Sequence, residues 1–212
     1  MKLGTRIGLS AGLPLQPDLQ PWSPWQRRTG LLLALALSVL VLGLASRSRT
    51  VPPRLLLSGV GADEIYLGAV ARLIAGARER VWVTMFVVRS EGEDPPRALM
   101  QALADAAARG CRVQVALDRG RDWQTRQPDS KHVAPAAWLT AHGVRVVLDE
   151  LDRTSHTKAV IVDSRRAVIG SHNWTRSALT VNREASLLID DPSVAARLER
   201  ELAAIPGWDP DR

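Results

Sequence analysis

The sequence predicts an α/β layered domain, and three observations carry that expectation. Apolar, strand-like runs alternate with segments of helical period from Leu55 to Ala204. Two of those runs are separated only by Asp163-Ser-Arg-Arg166, a hairpin connection, so the sheet is expected to be mixed and mostly parallel, flanked by helices. The chain has 212 residues, 46% apolar and 24% charged, enough for one sizeable core and unlike a disordered or fibrous chain.

Leu55–Val60 is apolar enough for a first strand. Asp63–Arg80 spaces Ile65, Ala69, Leu73 and Ala77 at helical intervals, and Val81–Val88 is β-branched and apolar on both faces, as a strand buried between layers is. Pro95–Arg109 has proline in its first turn and Gly110 as its stop, which reads as a helix. Arg112–Leu117 follows as a strand, with Cys111 before it expected to be a buried residue. A polar loop then leads to a short helix, Pro135–His142, closed by Gly143, with His142 as a helix-terminal residue. Val144–Leu148, Thr157–Val162, Ala167–Gly170 and Ala185–Ile189 are the remaining strands, and Pro192–Ala204 the last helix.

The net charge of +6 suggests a nucleic-acid binder only until it is located. Residues 1–55 hold seven basic side chains against the single acid Asp18, whereas residues 56–212 hold 21 of each sign. The excess therefore belongs to the N-terminus. No charge interrupts the chain from Thr29 to Ser46, around the apolar core 31–45. Fifteen helical residues reach roughly 22 Å against about 30 Å of hydrocarbon. That length suits a signal peptide, with Gly43-Leu-Ala45 as a cleavage-like site and Arg27-Arg28 ahead of the core. The long leader with Trp22 and Trp25 suits a retained inner-membrane anchor. Both readings place the rest of the chain on the periplasmic or extracytoplasmic side. The expected organisation is a signal peptide or anchor over 1–45, a linker over 46–54 containing Pro52-Pro53, a domain over 55–205 and a tail over 206–212.

The chemistry concentrates in His156-Thr-Lys158-Ala-Val-Ile-Val-Asp163, Gly170-Ser171-His-Asn173 and Asn182-Arg-Glu184. His156 and Lys158 lie two apart on a strand, so they emerge on one face, and Ser171 and Asn173 share that spacing. The hairpin brings both pairs to a common point. An imidazole, an ammonium, a hydroxyl and a carboxamide are what an anionic centre under nucleophilic attack requires. Asp163 is an odd number of positions from His156, faces the other way, and suits a structural Asx-type turn bond. By the same parity His172 points away from the site, and Trp174 is expected to pack behind it.

This constellation resembles the HKD motif of the phospholipase D superfamily, H-x-K-x4-D-x6-G-S-x-N, at all six named positions. With one residue in twenty expected by chance at each, an accidental match is on the order of 10⁻⁸ per starting point. Ala108–Asp118 also looks like the segment that precedes the motif in that family, and the resemblance spans about residues 55–205. It implies a phospholipase D-like layered fold and a phosphodiesterase needing no metal or other cofactor. His156 would be the nucleophile that forms a phosphohistidine, and Lys158, Ser171 and Asn173 would hold the phosphate oxygens. Glu184 would orient His156, the alternative being an ion pair with Arg183 or Arg176. Asp163 and Gly170 would support the motif.

A second imidazole must protonate the leaving oxygen. His132, His142 and His172 each lack a lysine two residues on, so a homodimer pairing two copies of the site is expected. The small, single-motif form, like that of bacterial endonucleases and mitochondrial cardiolipin hydrolase, favours a nuclease acting on DNA or RNA. The membrane-proximal leader and the uncharged domain favour the alternative, a phospholipase D or cardiolipin hydrolase, but the nuclease is the expected activity. The intact motif argues against the third reading, a catalytically silent anchored domain. The loop 118–132 mixes Arg119, Arg121, Arg126 and Lys131 with three acids and reads equally as a substrate groove or a solvated loop.

Overall fold

The strands and helices seen in the computed structural model follow the expected alternation closely. It describes residues 23–25, 27–33, 51–58, 65–121 and 128–211. The chain divides into two units, Met1–Arg49 and Thr50–Arg212. In the first unit residues 27–33 are helical; the leader to residue 22, the rest of the apolar core and the start of the linker lie outside the described residues. Among the described residues no helix is long and apolar enough to cross a membrane.

The second unit contains strands β1 (Val51–Leu57), β2 (Arg80–Met85), β3 (Arg112–Leu117), β4 (Arg145–Leu148), β5 (Ala159–Val162), β6 (Arg166–Gly170) and β7 (Ala185–Asp190). Its helices are α1 (Tyr66–Ala75), α2 (Pro95–Ala108), α3 (Val133–Ala141), α4 (Arg176–Thr180) and α5 (Pro192–Ala203). The strands form one seven-stranded sheet in the order β1-β7-β6-β5-β2-β3-β4. The mixed α/β layering is as expected, but the balance of the sheet is not. Only β2–β3 and β3–β4 are parallel, and the other four pairings are antiparallel. The physical reason lies in the connections. Helical crossovers return the chain for β2, β3 and β4, whereas β5 and β6 are joined by a tight turn that can only reverse direction.

Three further differences have local causes. Pro52 and Pro53, expected in the linker, lie in β1, where the register with β7 shifts between Val51 and Arg54. Proline is tolerated there because β1 is an edge strand with one unpaired side. Helix α4 is five residues long, too short for a periodic signal, and is set by Thr175, whose hydroxyl accepts from Ala178 N at 3.2 Å. The expected tail is part of the core: Trp208 is buried and meets Trp82 edge to face at 5.5 Å.

One face of the sheet buries Val81, Val83, Val115, Leu117, Val160 and Val168 against α1, α2 and α3. The other packs Trp82, Ala116, Ile161 and Ala167 against Ala195 and Leu202 of α5 and against Trp208. Helices α2 and α5 each begin with an aspartate cap, Asp94 and Asp191, ahead of proline.

The β5–β6 turn carries Asp163 and Ser164 at φ 52° and 51°, a left-handed conformation that aspartate adopts more readily than most residues. The Asp163 carboxylate does not make the expected bond within its own turn. It reaches across the sheet and accepts from the backbone N–H of Arg78, Glu79 and Arg80 at 2.9–3.2 Å. Burial pushes its pKa up, and these three amides outweigh burial and hold it below the ordinary carboxylate range. The hairpin is thereby pinned to the entry of β2. Asp163→Ala is expected to cost about 2–3 kcal/mol, as charge-assisted hydrogen bonds do, read as a lowered urea midpoint. The contribution is present above the unfolded-state pKa and is lost as pH falls through the native one.

Candidate active site

The site lies at the end of the sheet where β2, β3 and β6 finish and β5 and β7 begin. Strand register decides its composition. Gly170 N donates to Lys158 O at 3.3 Å, Gly170 pairs with Ser186, and Ser171 N donates to Ala185 O at 3.0 Å. Lys158, Ser171 and the residues around Glu184 are therefore neighbours across three adjacent strands. Gly170 makes this approach possible. A side-chain carbon there would collide with Ser186 Oγ and Cα and with the Ala185 carbonyl, so the motif's glycine is required by backbone contact.

His156 and Lys158 are on the extended segment leading into β5. His156 is exposed, and its ring rests against Phe86 with centroids 4.4 Å apart. Lys158 is buried, donates to His156 O at 2.6 Å and sits over the same Phe86 ring at 4.7 Å. Burial lowers the Lys158 pKa, while Glu184 and Asp118 pull it back up. Its ammonium has two protons beyond the one given to His156 O, which an anion can accept.

The Ser171 hydroxyl accepts from Ala185 N at 3.0 Å and donates to Ala185 O at 3.3 Å. The hydroxyl has one proton, shared between that carbonyl and the Glu184 carboxylate, and giving it to a phosphate oxygen gives up both. Asn173 is half-buried, and its side-chain oxygen is buried without a hydrogen-bond partner. That oxygen is an acceptor, which a phosphate oxygen cannot satisfy, so any bond from Asn173 to an anion comes from its Nδ2 donor. Glu184 accepts from Asn182 Nδ2 at 3.0 Å. Burial raises its pKa, and hydrogen bonding by Ser171 and Asn182, with His172 and Lys158 nearby, outweighs burial and leaves it low.

The other histidines are occupied elsewhere. His142 caps α3, its Nδ1 bonded to Trp138 O at 2.7 Å. His132 is buried, with Nδ1 on Asp118 O at 2.7 Å and Nε2 accepting from Val88 N at 3.1 Å, an arrangement that defines one neutral tautomer. His172 is fully buried, stacked on Tyr66 at 4.0 Å, and bonded to Ser186 Oγ at 2.8 Å. Trp174 packs behind the site as expected and donates to Tyr66 O–H at 3.2 Å. Burial pushes Tyr66 up to about 12 despite that bond.

Sequence reasoning missed Phe86 and Asp118. Asp118 is 1% exposed, paired with Lys131 Nζ at 2.8 Å, and accepts from Ser155 N at 2.9 Å. At its described ends the loop 118–132 is thus built into the site and is not merely solvated; residues 122–127 lie outside the described residues. The signal available was the rarity of lysine, since Lys131 is one of three in the chain.

The sheet thus gathers an imidazole, a buried ammonium and a carboxamide at one end of a mixed α/β domain. The profile of the family described as "Cardiolipin synthase, PLD-like domain" matches residues 70–205, and the chain belongs to this phospholipase D-like family. It is 29% identical to a Phospholipase D of Rickettsia bellii over 126 residues, covering 59% of this chain and 56% of that protein. It is 30% identical to Cardiolipin synthase A of Serratia proteamaculans over 148 residues, 66% of this chain and 28% of the synthase. The fold is shared with the phospholipase D family member Nuc from Salmonella typhimurium, at a TM-score of 0.56 and 21% identity, over 70% of this chain and 91% of Nuc.

Burial lowers the His172 pKa to about 4, against a smaller opposing pull from Glu184. A histidine held neutral in the native state while the unfolded chain is protonated costs stability on acidification. Stability is expected to fall as pH drops from about 6.5 to about 4, by on the order of 3 kcal/mol from this group. His172→Phe, which keeps the stack on Tyr66, should flatten that limb in urea titrations run across the range.

Proposed function

We propose that the chain is a phosphodiesterase working through a covalent phosphohistidine, and that its substrate is a phospholipid. The observation that carries the reaction is the convergence of His156, Lys158, Ser171 and Asn173 at one sheet end. The His156 imidazole attacks phosphorus, forming a P–N bond as the P–O bond to the leaving alcohol breaks. The two free protons of Lys158 and the Ser171 and Asn173 side chains stabilise the non-bridging oxygens as charge builds on them. Glu184 orients and polarises the nucleophile. The leaving oxygen takes a proton from a second imidazole, which then removes a proton from water as water displaces His156. His132 has both nitrogens bonded, and His172, with Nε2 unpaired, is fully buried and closed to solvent, so that imidazole is assigned to His156 of a second copy in a homodimer. The side chains supply every charge these steps use, so the reaction is written without a metal.

The observation favouring lipid is a cavity of about 260 Å³ beside His156. Its lining includes Ile161, Ile169, Leu198 and Leu202, and sets the three carboxylates of Asp149, Glu150 and Glu201 against the single guanidinium of Arg153. Apolar surface suits the glycerol and acyl portions of a lipid, and carboxylates repel a polyanionic strand. The N-terminal apolar segment, read as signal or anchor, supports a reading in which the substrate belongs to a membrane. The second reading is a nuclease on DNA or RNA, favoured by the single motif and small size.

The test incubates the full chain in detergent, with EDTA throughout, with phosphatidylcholine–cardiolipin vesicles, plasmid DNA and RNA; sedimentation is run on the same sample. The expected result is release of lipid headgroup or phosphatidate by a dimer, undiminished by EDTA and abolished in His156→Asn. Turnover of plasmid or RNA alone would replace the lipid reading. Activity persisting in His156→Asn would remove the nucleophile.

A further inference from the structure

The Phe86 ring is a meeting point outside the HKD pattern. The His156 ring rests on it at 4.4 Å, and the ammonium groups of Lys158 and Lys131 each lie 4.7 Å from its centroid. Lys131 comes from the far end of the loop that leaves β3, and it is held there by Asp118 at 2.8 Å and Asp129 at 3.5 Å. Asp118 uses its second oxygen to accept from Ser155 N, the amide immediately before His156, at 2.9 Å. One buried carboxylate therefore fixes both the backbone that carries the nucleophile and the cation that bears on its ring platform.

The surroundings are built for this pair. His132, next to Lys131, bonds Asp118 O and Val88 N, tying the loop's return to the exits of β3 and β2. At Gly120, φ is +43° and a side-chain carbon would stand 2.8 Å from Asp118 Oδ2 and 3.4 Å from Lys131 Nζ. A side chain there would adopt a left-handed backbone and push Asp118 off its ion pair with Lys131. Two carboxylates answer the Lys131 charge on the spot, which separates it from Lys158, whose ammonium donates to a carbonyl and keeps protons for an anion. A nucleophile must be held within about 10–20° of its line of attack, and two cations drawn to one aromatic ring restrain that ring.

We propose that Asp118, Lys131 and Phe86 are positioning residues for His156, setting the direction of its imidazole and taking no part in substrate binding. This rests on His156 being the nucleophile. The experiment uses bis(p-nitrophenyl) phosphate, a diester with neither lipid nor nucleoside parts, and the full chain. The rate per active site is counted from the burst of nitrophenolate. Asp118→Asn with Lys131→Met removes both charges together, avoiding a lone buried charge, and keeps an acceptor for Ser155 N. Phe86→Leu removes the aromatic platform, and Phe86→Tyr restores it.

The double variant and Phe86→Leu are expected to lose at least tenfold in kcat per active site, with KM within twofold of the parent. Phe86→Tyr should recover most of the rate. A raised KM with unchanged kcat would make Lys131 a substrate-binding group and overturn the proposal. So would unchanged kinetics, or a loss confined to burst amplitude, which reports only misfolded protein. If the double variant does not fold, the Phe86 pair decides alone. A parent enzyme whose activity survives His156→Asn would defeat the earlier reading instead, so the two failures are distinguishable.

Discussion

Everything at the candidate site depends on how closely β6 can approach β7. At Gly170 the two backbones leave no space for a side chain, and the Ala185 carbonyl and Ser186 occupy the position a Cβ would take. That contact sets the register that puts Ser171 beside Ala185 and Lys158 beside Gly170. A slip of one residue between β6 and β7 would move Ser171 off Ala185 and undo the pairing that assembles the site. At the other end of the hairpin Asp163 performs the complementary task, gathering three amides at the entry to β2. The two motif positions without a chemical role are thus the two that hold the hairpin in place.

The electrostatic design separates histidines by environment. His132 and His172 are both held below the ordinary imidazole range, chiefly by burial, and both have protein partners. His156 alone combines exposure with an adjacent buried lysine. The low Glu184 and the buried Lys158 give the site one carboxylate and one ammonium that influence each other across the strands. The +6 formal charge contributes nothing to this, since it lies in the first 55 residues.

Much of this was legible in the sequence because it rests on local rules. The spacing of His156 and Lys158 was legible although both precede β5, so that they share the Phe86 ring and not a strand face, and helix starts and stops were marked by Pro95, Gly110 and Pro192. What was not legible depends on distant pairing. The direction of β5 and β7 relative to β2 and β1 is a tertiary fact, so the antiparallel majority could not be read from alternation alone. Pro52-Pro53 reads as a strand breaker unless the strand is known to be an edge, and Trp208 joins the core only because Trp82 waits for it. Asp118 and Lys131 lie 13 positions apart and converge through a loop whose composition is that of ordinary surface.

The central claim is that His156 becomes covalently bound to phosphorus during turnover. Its most direct test is to mix the enzyme with excess bis(p-nitrophenyl) phosphate, quench in alkali, where phosphohistidine survives, and map the protein by mass spectrometry. The account predicts a p-nitrophenylphosphoryl adduct, the second nitrophenyl ester still attached to phosphorus, confined to the peptide carrying His156, appearing with the burst and absent from His156→Asn. A full burst with no adduct, or an adduct on another residue, would contradict it.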